Sequence, residues 1–287
     1  MSENNETEPE PGSPDDEIRP SVEAGLDLLI HEHEEEVSEN GRTVRRKGIY
    51  LLPNLFTTGA LFAGFYAVIA AMRGDFESSA IAIYSAMVLD GMDGRIARLT
   101  HTTSKFGAEY DSLSDMVSFG VAPALVMFSW ALGDLGKFGW SAAFTYVGCA
   151  ALRLARFNTQ IDTADGRYFT GLPSPAAACI VASTVWVCHN FGWVGDQMPF
   201  EVSVIVGLLT AVTGLLMIAN VPYYSFKGID LHGRVPFFVI ILIVLVFGLI
   251  TLDPPLVLLV SFLVYALSGP AILVSKIAKK RPGTPVP

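Results

Sequence analysis

The sequence predicts an all-α integral membrane protein of about eight transmembrane helices with both termini in the cytoplasm. Three observations predict it. The 287 residues are 51% hydrophobic with a mean hydropathy of +0.46. The apolar residues gather into segments of about twenty, the length needed to cross roughly 30 Å of hydrocarbon. The basic residues are distributed unequally between the connections of those segments.

Residues 1–40 hold fourteen Asp and Glu against the single basic residue Arg19, while the rest of the chain carries a small excess of Lys and Arg over its acids. The net charge of −9 therefore belongs to the beginning of the chain. Rich in Glu, Pro, Ser and Asn, that stretch lacks apolar mass to bury and reads as a disordered acidic tail over residues 1–45. It has neither the basic start nor the apolar centre of a signal peptide. The run HEHEEE at 31–36 has no metal-binding spacing and reads as a solvated charge run.

Eight apolar spans follow, at about 50–72, 78–99, 105–131, 138–157, 175–192, 202–220, 235–252 and 255–275. With the tail in the cytoplasm, the outer connections hold Arg73 and Lys137, and the inner ones hold Arg45 to Lys47, Arg98, Lys105, Arg153, Arg156, Arg167, Lys227, Arg234 and the cluster from Lys276 to Arg281. That asymmetry orients the chain. A transmembrane domain over 46–276 and a short basic C-terminal tail over 277–287 complete the expected organisation. Tyr50 and Trp140 fall where interfacial anchors belong, and Cys149, Cys179 and Cys188 form no CxxC and read as small buried apolar residues. The lone histidines His101, His189 and His232 are assigned no role, and no nucleic-acid partner is expected.

The second and third spans contain DGMDGRIARLTHTTSKFGAEYDSLSD from Asp90 to Asp115. Carboxylates inside apolar segments cost roughly 2.5 to 3.5 kcal/mol each at a helix centre, so a group of them calls for a compensating cation. At about 100° per residue, Asp90, Asp93, Gly94 and Ala97 share a helix face with Arg98 at its edge, and Gly107, Asp111 and Asp115 form a second stripe. Asp90, Asp93, Asp111 and Asp115 thus make an oxygen-rich cage suited to Mg²⁺ or Mn²⁺; Zn²⁺ usually recruits His or Cys. Glycines on both stripes leave room for something bulky to approach the backbone. Arg98, about 12 Å along the helix axis from Asp90, offers a fork suited to phosphate.

The pattern Asp90-x2-Asp93-Gly94-x2-Ala97-Arg98-x8-Gly107-x3-Asp111-x3-Asp115 resembles the full signature of the CDP-alcohol phosphotransferases. Three further segments, GIYLLPNLFTTG from Gly48, ALRLARFNTQ with FTGLPSPAAA at 151–178, and IANVPYYSFKG at 218–228, resemble the phosphatidylserine synthase branch of that family. The likeness covers residues 48 to about 276. It implies transfer of a phosphatidyl group from CDP-diacylglycerol to L-serine at the cytoplasmic face of the inner membrane, giving phosphatidylserine and CMP. It also implies one or two Mg²⁺ or Mn²⁺ ions on Asp90, Asp93 and Asp111, and Asp115 as the base that takes the serine hydroxyl proton and an additional metal ligand. Gly94, Arg98 and Gly107, with Asn54 and Thr57 of the first span, would meet the CDP-lipid. A homodimer embedded among membrane lipids is the assembly the family implies.

Serine carries a carboxylate, so its site needs a basic group of its own. Arg156 is the first candidate from its place in the ARFN stretch, with Arg153, Arg167 and Lys227 beside it. Glycerol phosphate or inositol phosphate would also use basic residues, so a sister enzyme with either acceptor remains an alternative. A prenyltransferase shares acidic motifs but not the Ala97-Arg98-x8-Gly107 register. An ion-coupled transporter shares intramembrane acids but would release no CMP.

Overall fold

The computed structural model describes residues 36–39, 42–45, 51–99, 105–159, 168–224 and 237–279. Eight helical rods account for nearly all of them: α1 (Leu51–Met72), α2 (Phe76–Leu99), α3 (residues 105–135), α4 (Lys137–Thr159), α5 (Ser174–Asn190), α6 (Phe200–Ile218), α7 (Phe237–Leu252) and α8 (Pro254–Lys279). They coincide with the eight apolar spans to within a few residues. Leu52–Met72, Phe106–Leu135, Phe200–Ile218 and Pro254–Ser275 are long and apolar enough to cross a membrane. The chain is an integral membrane protein of the all-α class.

Two short antiparallel ribbons stand among the helices. Strand β1 (Glu36–Glu39) pairs with β2 (Arg42–Arg45) at the end of the segment that composition reads as a tail. The second ribbon joins β3 (Tyr168–Thr170) to β4 (Pro222–Tyr224), and so ties the entrance of α5 to the exit of α6.

Alanine lets α1 and α2 approach closely. Ala60, Ala63, Ala67 and Ala71 of α1 and Ala80, Ile83 and Ala86 of α2 are buried, the small-residue spacing by which helices associate where lipid offers no hydrophobic drive. Asp75 caps α2 by accepting the Ser78 N–H at 3.1 Å. Hydroxyls hold α3 to α1. Ser114 Oγ donates to the Thr57 carbonyl at 3.1 Å and Ser118 Oγ, one turn on, to the Ala60 carbonyl at 3.0 Å. Bonds of this kind are worth about 0.6 kcal/mol each within a membrane.

Helix α3 is α-helical over Lys105–Asp115 and then widens into π-turns at Met116–Val121 and Phe128–Leu132, where the N–H of Ala122 reaches the Val117 carbonyl and that of Gly133 reaches the Phe128 carbonyl. Each widened turn holds an extra residue and so rotates the helix face beyond it. The acid stripe therefore lies on regular helix, immediately before the first change of register.

Helix α5 runs through the centre of the bundle, buried from Ala176 to Val185, and packs against α2, α3 and α8. Its entry is fixed by backbone bonds from Gly171 N–H to the Val221 carbonyl and from Leu172 N–H to the Leu216 carbonyl, both at 2.9 Å. Gly171 adopts φ +86°, and an added Cβ would lie 2.1 Å from the Met217 carbonyl oxygen. Gly171→Ala is therefore expected to cost at least about 2 kcal/mol through the left-handed backbone and the clash together. Thermal melting in detergent reads this as a lowered Tm; an unchanged Tm would mean that the ribbon does not constrain this turn.

The last helix closes the bundle over this region. Gly269 of α8 sits against the ring of Tyr223, so close that a Cβ there would come within 2.5 Å of it, and Tyr223 OH donates to the Ala266 carbonyl at 2.9 Å. Tyr223 and Tyr265 also pack ring against ring, their centroids 5.6 Å apart. The three cysteines are free thiols in helices, as the sequence implies.

Candidate active site and metal centre

Helices α2 and α3 bring their acids to one place. One carboxylate oxygen from each of Asp90, Asp93 and Asp111 lies within 4.8 Å of the others. On an octahedral ion at about 2.1 Å, neighbouring oxygens lie about 3.0 Å apart and opposite ones about 4.2 Å, so the three draw closer together to share one ion. An all-carboxylate donor set suits a hard divalent cation such as Mg²⁺ or Mn²⁺. Asp93 is buried, whereas Asp90 and Asp111 are half-buried.

Asp115, one turn beyond Asp111, stands within hydrogen-bonding reach of Asp90 and in the field of Asp111. The opposite charge comes from α4. Arg153 lies in the field of Asp115 and Asp90, and its guanidinium donates to Ser174 Oγ, a buried hydroxyl in the first turn of α5. Acid cage and arginine thus face one another across the ends of four helices.

From the first span, Thr57 Oγ1 donates to Asp93 Oδ2 at 2.7 Å, which joins α1 to a cage carboxylate. Asn54 is half-buried, and its backbone carbonyl accepts from Thr58 Oγ1 at 2.7 Å. Tyr110 OH and Thr58 Oγ1 share a further bond at 2.9 Å across α1 and α3.

Gly94 is exposed beside the cage, and a Cβ added there would meet nothing within 4 Å. Gly107 is half-buried in the first turn of α3. Arg98 lies in the last turn of α2, although its side chain is outside the described residues, as are Arg167 and Lys227 altogether. Arg156, at the end of α4, is half-buried. Two residues later, Asn158 Nδ2 donates to Ser112 Oγ at 3.0 Å, which fastens the end of α4 to the acid stripe of α3.

Sequence reasoning missed two of these arrangements. A threonine in the first turns of a helix is readily explained by local bonding to a carbonyl four residues back, and Thr57 does lie 3.2 Å from the Pro53 carbonyl. Ser174, between two prolines, read only as part of a stiff turn. Of Arg153 and Arg156, three residues apart on one helix, the sequence put Arg156 first, and Arg153 lies in the field of Asp115 and Asp90.

The family model for CDP-alcohol phosphatidyltransferase matches residues 50–222. A CDP-diacylglycerol–serine O-phosphatidyltransferase of Helicobacter pylori is 38% identical over 200 residues, covering 69% of this chain and 82% of the relative. An enzyme of the same name from Mycobacterium leprae is 30% identical over 234 residues, covering 78% and 75%. One from Saccharomyces cerevisiae is 35% identical over 155 residues, about half of each chain.

Proposed function

The chain belongs to the CDP-alcohol phosphatidyltransferase family, and from that premise we infer that it transfers the phosphatidyl group of CDP-diacylglycerol to L-serine, forming phosphatidylserine and CMP. The acceptor follows from relatives in bacteria and yeast that share this activity in their names. The observation that carries the chemistry is the convergence of Asp90, Asp93 and Asp111 within 4.8 Å, beside Asp115 and Arg153.

Asp90, Asp93 and Asp111 would hold the divalent cation, with Asp115 able to join them. When bound, the ion neutralises charge on the donor diphosphate and on the departing CMP. The chain's own groups do the rest. Serine lies with its carboxylate toward Arg153 and its hydroxyl toward Asp115. Asp115 accepts the hydroxyl proton as the serine oxygen forms its bond to the lipid-side phosphorus. The bond from that phosphorus to the bridging oxygen breaks, and CMP departs with the electron pair. Gly94 and Gly107 admit the nucleotide closely, and Arg98 takes part of the diphosphate charge.

The bias of Lys and Arg toward the connections at this end supports a cytoplasm-facing site in the inner membrane. The resemblance supports a homodimer, to be read from the mass of the detergent-solubilised protein. The acidic tail before residue 46 carries none of the named groups.

The test is CMP release by purified protein in detergent with CDP-diacylglycerol, Mg²⁺ or Mn²⁺ and a panel of alcohols. Serine is expected to support release, with glycerol phosphate and inositol phosphate giving little above background. Preference for either phosphorylated alcohol would reassign the acceptor, and no CMP release with any acceptor would reject the reaction.

A further inference from the structure

We propose that Thr57, on a helix that contributes no acid, is the positioning residue of the metal cage, holding the two acid-bearing helices at the separation a single ion requires. Its side chain bonds to α2 and its backbone to α3. The hydroxyl reaches Asp93 Oδ2 at 2.7 Å, and the carbonyl accepts Ser114 Oγ at 3.1 Å. Ser114 lies between Asp111 and Asp115 in the acid stripe. One residue therefore touches both halves of the cage.

All three partners are shielded from solvent, with Thr57 3%, Asp93 5% and Ser114 2% exposed. Water cannot easily replace these bonds. A threonine hydroxyl has one proton, and two acceptors stand near it. The Asp93 carboxylate at 2.7 Å is nearer than the Pro53 carbonyl at 3.2 Å, and a charge-assisted bond is roughly twice as strong as a neutral one. The proton belongs to Asp93.

Occupying Oδ2 in this way restrains rotation of the carboxyl group about its last torsion, so the carboxylate keeps one orientation in the cage. Outer partners of this kind commonly change metal affinity by about 10- to 100-fold when removed. The β-branched side chain adds to the effect, because Thr keeps few rotamers in a helix and so holds its hydroxyl in place. The inference rests on the metal role proposed for the aspartates, and extends it to a residue that no metal would touch.

The test uses full-length protein in detergent, without CDP-lipid or serine, titrated with Mn²⁺ and followed by electron paramagnetic resonance. Thr57→Val, which keeps the shape and loses the hydroxyl, is expected to weaken Mn²⁺ binding about tenfold and to alter the linewidth of the bound ion. Thr57→Ser should recover both to near the parent. A Thr57→Val protein with parental affinity and linewidth would overturn the proposal, as would a Thr57→Ser protein no better than Thr57→Val. Absence of Mn²⁺ binding by the parent would overturn the metal reading and this inference together. Normal Mn²⁺ binding and serine rescue in a protein that transfers nothing to serine would leave the inference standing and remove the proposed reaction.

Discussion

Protein carrying Asp115→Asn is expected to bind CDP-diacylglycerol and Mn²⁺ within a few-fold of the parent and to lose about 10²- to 10⁴-fold in kcat, the range supplied by a positioned general base. The substitution preserves the shape of the side chain and removes its capacity to accept a proton. Asp115 stands outside the close cluster of three, bonds toward Asp90 and has Arg153 in its field, so it lies between the cage and the arginine. Asp93→Asn is the contrasting control. It removes an anion from the close cluster, so metal-dependent donor binding should fall together with turnover. A kcat near the parent value in Asp115→Asn would remove the base assignment. Equal loss of donor binding in the two variants would make Asp115 chiefly a metal ligand.

The second large effect is expected at Arg153. Arg153→Gln should lower kcat/KM for serine by about 1.5 to 3 kcal/mol, the scale of a hydrogen bond to a charged group. That is roughly 10- to 150-fold at about 1.4 kcal/mol per decade. Apparent affinity for the CDP-lipid should change much less. Serine methyl ester, which lacks the carboxylate charge, should be a poor acceptor for the parent and lose little further in the variant. Arg156→Gln serves as the comparison, since Arg156 lies at the helix end while Arg153 reaches Ser174 and the field of Asp115. Unchanged serine kinetics in Arg153→Gln with a large loss in Arg156→Gln would reverse the assignment. Equal use of serine and its ester by the parent would reject carboxylate recognition.

Much of this was legible before any coordinates. Acids inside apolar spans are costly enough that their spacing is constrained by function, and steps of three and four residues are what helix geometry turns into shared faces. Asp90, Asp93, Asp111 and Asp115 therefore read as one cage, of which the first three lie within 4.8 Å of one another, and the helix boundaries followed from the length of apolar runs. The pairing of Tyr168–Thr170 with Pro222–Tyr224 did not, because two three-residue strands separated by two helices leave no periodic trace. The widened turns of α3 were equally silent. Ser118, Phe119 and Gly120 are buried in the first of them, and nothing in the run MVSFGV marks a change of register. Thr57 shows the third kind of limit. Its partner is 36 residues away, while a local acceptor four residues back explains the same hydroxyl equally well.

The contact of Gly269 with the buried ring of Tyr223 bears on the order in which the enzyme becomes complete during synthesis. Chains emerge from the ribosome N-terminus first and fold by units. The cage is finished once α3 has been inserted, more than a hundred residues before α8 appears. Until then Tyr223 has no Ala266 carbonyl to bond, and the wall that α8 builds against α5 is missing. A nascent chain would therefore hold an assembled cluster of carboxylates within a bundle that is not yet closed. The final helix acts as the closing step of biogenesis, and chains cut short before Pro254 should accumulate as metal-competent, transfer-deficient proteins.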